Sequence, residues 1–196
     1  IAGFRAHHRL EGRKVVLSVG RVTWLKDYES FIDAIGLARQ TRPEVMGFIV
    51  GGVAPDKEAY FKELQARVRR LGLDDHLVFA GSQSRMPEIY ALADVLVNAS
   101  LKMGNVGRTV AEGLAMNTPV LATTEKGLNN LVRDGVNGFI IKTRDAADLA
   151  AKMVQALEIP SANIRATVPD EFTLETMVTK TLEVYAGLLR SRGEDQ

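Results

Sequence analysis

The sequence predicts an α/β fold, a Rossmann-like doubly wound parallel sheet of about six strands with a C-terminal helical extension, on three observations. Six short apolar runs are continuous rather than alternating, the pattern of strands covered on both faces: Lys14 to Val19, Met46 to Val50, Leu77 to Ala80, Val95 to Asn98, Pro119 to Ala122 and Phe139 to Ile141. Helical periodicity fills the intervals between them. Strict alternation of strand and helix then implies parallel strands joined by right-handed crossovers.

Each element has a local reason. After the first run, a helix over Tyr28 to Gln40 carries Phe31, Ile35 and Ala38 on one face and stops before Pro43, which pushes Arg42 to extended angles. The next helix aligns Tyr60, Leu64, Val68 and Leu71, with Lys62, Glu63, Arg67 and Arg69 facing elsewhere, so it packs on the sheet by one stripe. Helices near Met86 to Ala93 and Arg108 to Met116 flank the fourth run, and a short one is expected near Leu128 to Val132. Asp145 to Leu157 reads as a further helix, and a terminal helix puts Leu174, Val178, Leu182, Tyr185 and Leu189 on one stripe. Residues 14–160 form the expected domain, and 161–196 the helical extension with a polar tail from Arg190 to Gln196.

Composition narrows the function. With 46% hydrophobic and 25% charged residues, the 196-residue chain has an ordinary core, so disorder and fibres are excluded. Lys and Arg total 25 against 24 Asp and Glu, a net charge of +1 that gives no field to hold nucleic acid or an anionic membrane. Any anion site must be local, and no nucleic-acid partner is expected. The absence of cysteine removes disulfides, thiolate metal sites and cysteine nucleophiles, and agrees with a reducing, cytoplasmic compartment. His7 and His8 are adjacent and His76 is distant, so no metal site is predicted. No run reaches the length of a membrane span, and no signal-peptide pattern occurs. The chain opens on Ile1 rather than Met, which suggests a processed product or a piece of something longer.

In an open α/β sheet, ligands sit beyond the carboxyl ends of the strands. The first such loop, from Gly20 and Arg21 to Lys26, combines a glycine that admits a ligand to the backbone with a bidentate cation and a mobile one. It suits a diphosphate, the alternative being two solvated surface cations. The loop from Leu101 to Gly107 runs into a helix starting near Arg108 or Thr109, where exposed amides and the helix dipole favour an anion. Glu112, one turn in, is a carboxylate able to accept two ribose hydroxyls, or else to pair with a nearby arginine. No Gly-Lys-Ser/Thr, no Gly-x-Gly-x-x-Gly after the first strand and no Gly-x-Ser-x-Gly elbow occurs, which disfavours phosphate-loop enzymes, simple dinucleotide binders and serine hydrolases.

Nearly the whole chain resembles the donor-binding C-terminal half of retaining GT-B glycosyltransferases of family four. The likeness is carried by VVLSVGRVTWLKDYESFIDAI, by LGLDDHLVFAGS through MPEIYALADVLVNAS, and by TVAEGLAMNTPVLATTEKGLNNLVRDGVNGFII. It implies that Arg21 and Lys26 neutralise the donor diphosphate and act in catalysis, and that Glu112 binds the ribose. It also implies that Gly20 admits the diphosphate, that Gly104, Asn105, Val106, Gly107 and Thr109 lie against the sugar and distal phosphate, and that the Gly81 to Gln83 loop lies near the base. The substrate implied is a UDP- or GDP-linked sugar, with no cofactor and no divalent metal, in keeping with the lack of any Asp-x-Asp. Residues 1–13 resemble the interdomain linker. The other implied partners are the N-terminal GT-B domain, which the stripe of the last helix would face, and a glycan or lipid-linked acceptor, with peripheral association of the full-length protein at the inner face of the membrane. Two departures touch the sugar side: Gly104 stands where the family has a glutamate, and Lys126-Gly127 and Asn130 replace its Gly-Gly and later glutamate. An altered sugar preference, using Lys102, Asn105 or Lys126, and a noncatalytic binding module are both compatible with them. A related epimerase or phosphorylase is a third reading.

Overall fold

The computed structural model describes residues 2–8, 10–101, 107–123 and 131–193. Six parallel strands, β1 (Lys14–Val19), β2 (Val45–Val50), β3 (Leu77–Phe79), β4 (Val95–Asn98), β5 (Val120–Ala122) and β6 (Gly138–Ile140), form one sheet in the order β3-β2-β1-β4-β5-β6. The predicted doubly wound sheet is therefore present, and every predicted strand lies within a residue of its observed place. β1 is held on both sides: Leu17 faces Phe48 of β2 and Leu96 of β4. Continuous apolar runs were needed because successive side chains of each strand point to opposite faces of the sheet and both faces are covered.

Those two faces make two cores. Val16, Ile49, Val97 and Leu121 meet helices α2 (Tyr28–Ala38), α3 (Glu58–Arg70) and α6 (Ala146–Ala156) through Phe31, Ile35, Leu64, Val68, Leu149 and Met153. Val15, Leu17, Phe48, Leu96 and Val120 meet α4 (Met86–Tyr90) and α5 (Gly107–Ala115) through Ile89, Tyr90, Val110 and Leu114. Burying about a dozen such large side chains, at roughly 1.5–3 kcal/mol each, dominates the folding free energy of this layer arrangement.

Four differences from the sequence reading have physical causes. Residues 1–13 contain a helix, α1 (Ala2–His7), whose Phe4 meets Phe48 edge-on at 5.7 Å, while Leu10 is fully buried. The helix expected to reach Ala93 ends at Tyr90, because i→i+3 bonds from Leu92 to Ile89 and from Ala93 to Tyr90 tighten the turn and drop Leu92 into the core. Leu131 and Val132 are buried but not helical; the rest of that expected helix lies outside the described residues. Finally, a 3-10 turn at Trp24–Lys26 was not foreseen. The last helix, α7 (Leu174–Gly193), is where it was expected, and its Leu174, Val178, Leu182, Tyr185 and Leu189 are 45–72% exposed. Among the described residues no helix is long and apolar enough to cross a membrane.

Candidate functional site

The strand order reverses between β1 and β4, so the loops after them diverge and leave a crevice of about 560 Å³ at their carboxyl ends. Six of the residues singled out in the sequence line it: Gly20, Arg21 and Lys26 from the β1 loop, and Gly107, Thr109 and Glu112 from α5. Met86 and Tyr90 of α4 close the third side. Gly81 and Gln83 are not brought into this crevice. Gly81 lies beyond β3 with its carbonyl accepting from the Gly51 amide at 2.9 Å. Gln83 donates to the Ala80 carbonyl at 2.7 Å and lines an adjoining cavity of about 630 Å³ with Phe4, His8 and Arg85. Gly104, Asn105 and Val106 lie outside the described residues, as do Lys102, Lys126 and Asn130.

The β1 loop is pinned by backbone. The Gly20 amide donates to the Val50 carbonyl at 2.9 Å, the Val22 amide to the Gly52 carbonyl at 3.0 Å, and the Tyr28 hydroxyl to the Gly20 carbonyl at 2.7 Å. Burial pushes the Tyr28 phenol far above the ordinary tyrosine range, so it stays a donor. Close approach explains Gly51, where a Cβ would stand 1.8 Å from the Gly20 backbone oxygen, whereas a Cβ at Gly20 would meet the movable Lys26 side chain, 2.6 Å from its Cε. Lys26 thus lies folded across Gly20.

What folds it there is the 3-10 turn, closed by Asp27 in the left-handed region at φ 48°. Asp27 is buried and its carboxylate accepts from the Ser30 hydroxyl at 2.8 Å and the Arg144 amide at 2.9 Å, tying the turn to α2 and to the β6–α6 connection. Desolvation lowers the Lys26 pKa. No ion pair among the described residues uses Arg21 or Lys26. Two cations that form no ion pair among the described residues, one exposed and one partly desolvated, face the N-terminus of the nine-residue α5, whose amides and dipole add positive potential.

Opposite them stands the carboxylate of Glu112. The Tyr90 hydroxyl donates to Glu112 Oε2 at 2.6 Å, and Arg108 Nε lies a loose 3.7 Å from Oε1. Burial and the adjacent carboxylate push the Tyr90 phenol well above its usual range, against smaller opposing effects of Thr109 and Arg108. Sequence reasoning missed both tyrosines, since Tyr28 and Tyr90 sit at apolar helix positions that give no sign of where the hydroxyl points. It also missed the link between the roots of the next two loops, where the Ser100 amide donates to Thr123 Oγ1 at 2.9 Å and Thr123 Oγ1 donates to the Ser100 carbonyl at 3.0 Å. The Leu101 amide donates to the Leu25 carbonyl at 2.9 Å and joins the β4 loop to the β1 loop. The arrangement can hold an anion between Arg21, Lys26 and the α5 amides, and a diol at Glu112.

The sequence profile of the glycosyl transferases group 1 matches residues 3–167. The chain belongs to that family. Among curated relatives it is 30% identical over 186 residues to the lipopolysaccharide core biosynthesis mannosyltransferase LpsB of Rhizobium meliloti, covering 91% of this chain and 53% of the relative. To the mannosylfructose-phosphate synthase of Agrobacterium fabrum it is 31% identical over 147 residues, covering 72% of this chain and 32% of the relative. Among solved structures, Anabaena Alr3699/HepE in complex with UDP and glucose superposes with a TM-score of 0.85 at 25% identity, over 94% of this chain and 51% of that one. The group 1 chain described here spans about a third to a half of the length of these relatives.

Proposed function

We propose that this group 1 chain is the donor-binding domain of a retaining, metal-independent glycosyltransferase that moves a hexose from a UDP- or GDP-linked sugar to a glycan or lipid-linked acceptor. The observation that carries the reading is the pair of cations, Arg21 and Lys26, facing the α5 N-terminus across one crevice with Glu112 on its wall. In this reading the diphosphate lies between the cations and the α5 amides, and Glu112 accepts the ribose hydroxyls. As the glycosidic bond breaks, negative charge grows on the departing diphosphate, and fixed cations and dipoles that need no rearrangement stabilise it most at that moment. Arg21 and Lys26 supply the neutralisation that a divalent cation would otherwise give. Gln83, in the lining of the second cavity, is on the side expected to receive the base.

The names of the relatives support the same direction, a mannosyltransferase of lipopolysaccharide core biosynthesis and a structure holding UDP and glucose. The acceptor site belongs, in this proposal, to the half of the relatives that this chain does not span, so the chain binds donor but transfers sugar only when joined to that half. The setting is cytoplasmic, at the inner face of the membrane where lipid-linked acceptors are exposed. Calorimetric titration with UDP, GDP and pyrophosphate in EDTA tests the reading. Selective binding of one nucleotide, weakened roughly 10- to 100-fold by Arg21→Ala, is expected from the loss of one charged hydrogen-bonding group. Binding that appears only with added metal, or that ignores Arg21→Ala, contradicts it.

A further inference from the structure

We propose that Tyr90 is a positioning residue, whose hydroxyl holds the Glu112 carboxylate facing the crevice and so sets discrimination for a ribose diol; this rests on the nucleotide reading of the crevice. Glu112 sits one turn into α5 and its side chain is 42% exposed, so it has two places to go. Along its own helix, Arg108 lies four residues back and is 92% exposed; pairing with it fully would draw the carboxylate out along the helix surface. From a different element, α4, the Tyr90 hydroxyl reaches Oε2 at 2.6 Å, the length of a charge-assisted O–H···O⁻ bond. Tyr90 wins that contest in the structure, since Arg108 is left 3.7 Å from Oε1.

Tyr90 is well placed to be the fixed partner. Tyr90 as a whole is 2% exposed and belongs to the core beneath α4 and α5, and its backbone carbonyl accepts from the Thr118 hydroxyl at 3.4 Å. A phenylalanine would fill that core equally well. The hydroxyl is the one part of the side chain that packing leaves unexplained, and it ends in the crevice on the carboxylate. With Oε2 anchored, Oε1 and the remaining lone pairs stay directed at a ligand, which is the geometry two adjacent hydroxyls require.

The test compares wild type and Tyr90→Phe for binding of UDP, GDP, the 2′-deoxy form of whichever nucleotide binds, and pyrophosphate. Tyr90→Phe is expected to weaken the nucleotide about 5- to 20-fold, to leave pyrophosphate unchanged, and to shrink the preference for ribose over deoxyribose, as loss of one charged-group orientation implies. In a Glu112→Ala background the same change is expected to do nothing further, because Tyr90 acts through Glu112. If pyrophosphate weakens in parallel, Tyr90 acts on the whole site and the proposal falls. If wild type binds nucleotide and Tyr90→Phe discriminates as before, the proposal falls while the nucleotide reading stands. If wild type binds neither nucleotide, both fall together. The exposed Arg108→Ala, which leaves the core untouched, gives an independent arm: near-normal nucleotide affinity is expected, and a nucleotide-specific loss would transfer the positioning role to Arg108 and overturn the assignment.

Discussion

Replacing Gly51 with alanine tests whether the end of β2 sets the position of the anion-binding loop. An added Cβ would stand 1.8 Å from the Gly20 oxygen, 2.5 Å from the Gly20 carbonyl carbon and 3.1 Å from the Arg21 nitrogen, all backbone atoms that cannot rotate away. Reaching an ordinary C···O contact of about 3.3 Å means separating the two strand ends by about 1.5 Å. That movement strains the Gly20 amide bond to Val50 and the Tyr28 hydroxyl bond to Gly20. Overpacking costs about 1–3 kcal/mol and each of the two weakened hydrogen bonds about 0.5–1.5 kcal/mol, so a loss of about 2–6 kcal/mol is expected. At about 2–4 °C per kcal/mol for a chain of this size, that lowers the melting temperature by about 4–24 °C. Because Arg21 moves with Gly20, pyrophosphate affinity is expected to fall about 10- to 100-fold. Thermal unfolding by circular dichroism and calorimetric titration read the two effects separately. Gly72→Ala is the control, since Gly72 has φ +65° but open space around it; it should cost only the left-handed strain of about 1–2 kcal/mol and leave the anion site intact. A Gly51→Ala protein that melts with the control and binds pyrophosphate like wild type would refute the reasoning.

The remaining predictions concern single side chains. Burial lowers the Lys26 pKa, and only the protonated amine attracts an anion, so affinity is full below that pKa and declines as pH rises through it, before the ordinary lysine value of about 10.4. Titrations from pH 7 to 10 should show this decline in wild type and not in Lys26→Arg; identical profiles would remove Lys26 from the anion site. Glu112→Gln is expected to weaken nucleotide about 10-fold while sparing pyrophosphate, and equal weakening of both would deny it a ribose role. Asp27→Ala forfeits the bonds to Ser30 and Arg144 and forces alanine to φ 48°, so urea unfolding should show a loss of about 2–4 kcal/mol. Asp27→Asn should lose less, since asparagine tolerates that conformation; the reverse order would mean the left-handed turn is not what Asp27 secures.

What the sequence disclosed, and what it hid, follows from the range of the forces involved. Strands β1 and β4 were legible to the residue because a fully buried parallel strand needs an unbroken apolar run, as in Val15, Val16 and Leu17. Asn117, just past the end of α5 and two residues before Pro119, adopts φ 60°, a left-handed conformation that asparagine tolerates at a helix end. Helix α1 was illegible because contact with Phe48, over forty positions away in sequence, accompanies it rather than any local pattern. In the site, Gly20, Arg21, Lys26 and Glu112 stood out because they follow apolar strands, whose carboxyl ends border the crevice of an open α/β sheet. Their mutual geometry did not. The Tyr90–Glu112 bond spans 22 positions and two helices, and the fold of Lys26 across Gly20 depends on a turn closed by Asp27 and anchored to Arg144, 117 positions away. The separation of Gly81 and Gln83 from the crevice reflects the width of β2 and β3 beside it, which loop sequence does not encode.

The most direct test of the central claim is to map where a nucleoside diphosphate binds, by following backbone amide resonances of the labelled chain as UDP, or GDP if UDP does not bind, is added in EDTA. The account predicts that the largest shifts fall on Gly20, Arg21, Lys26, Gly107 and Thr109, with Tyr90 and Glu112 following. Shifts confined to other surfaces, such as the cavity beside Phe4 and His8 or the exposed face of α7, with these amides unmoved, would contradict it.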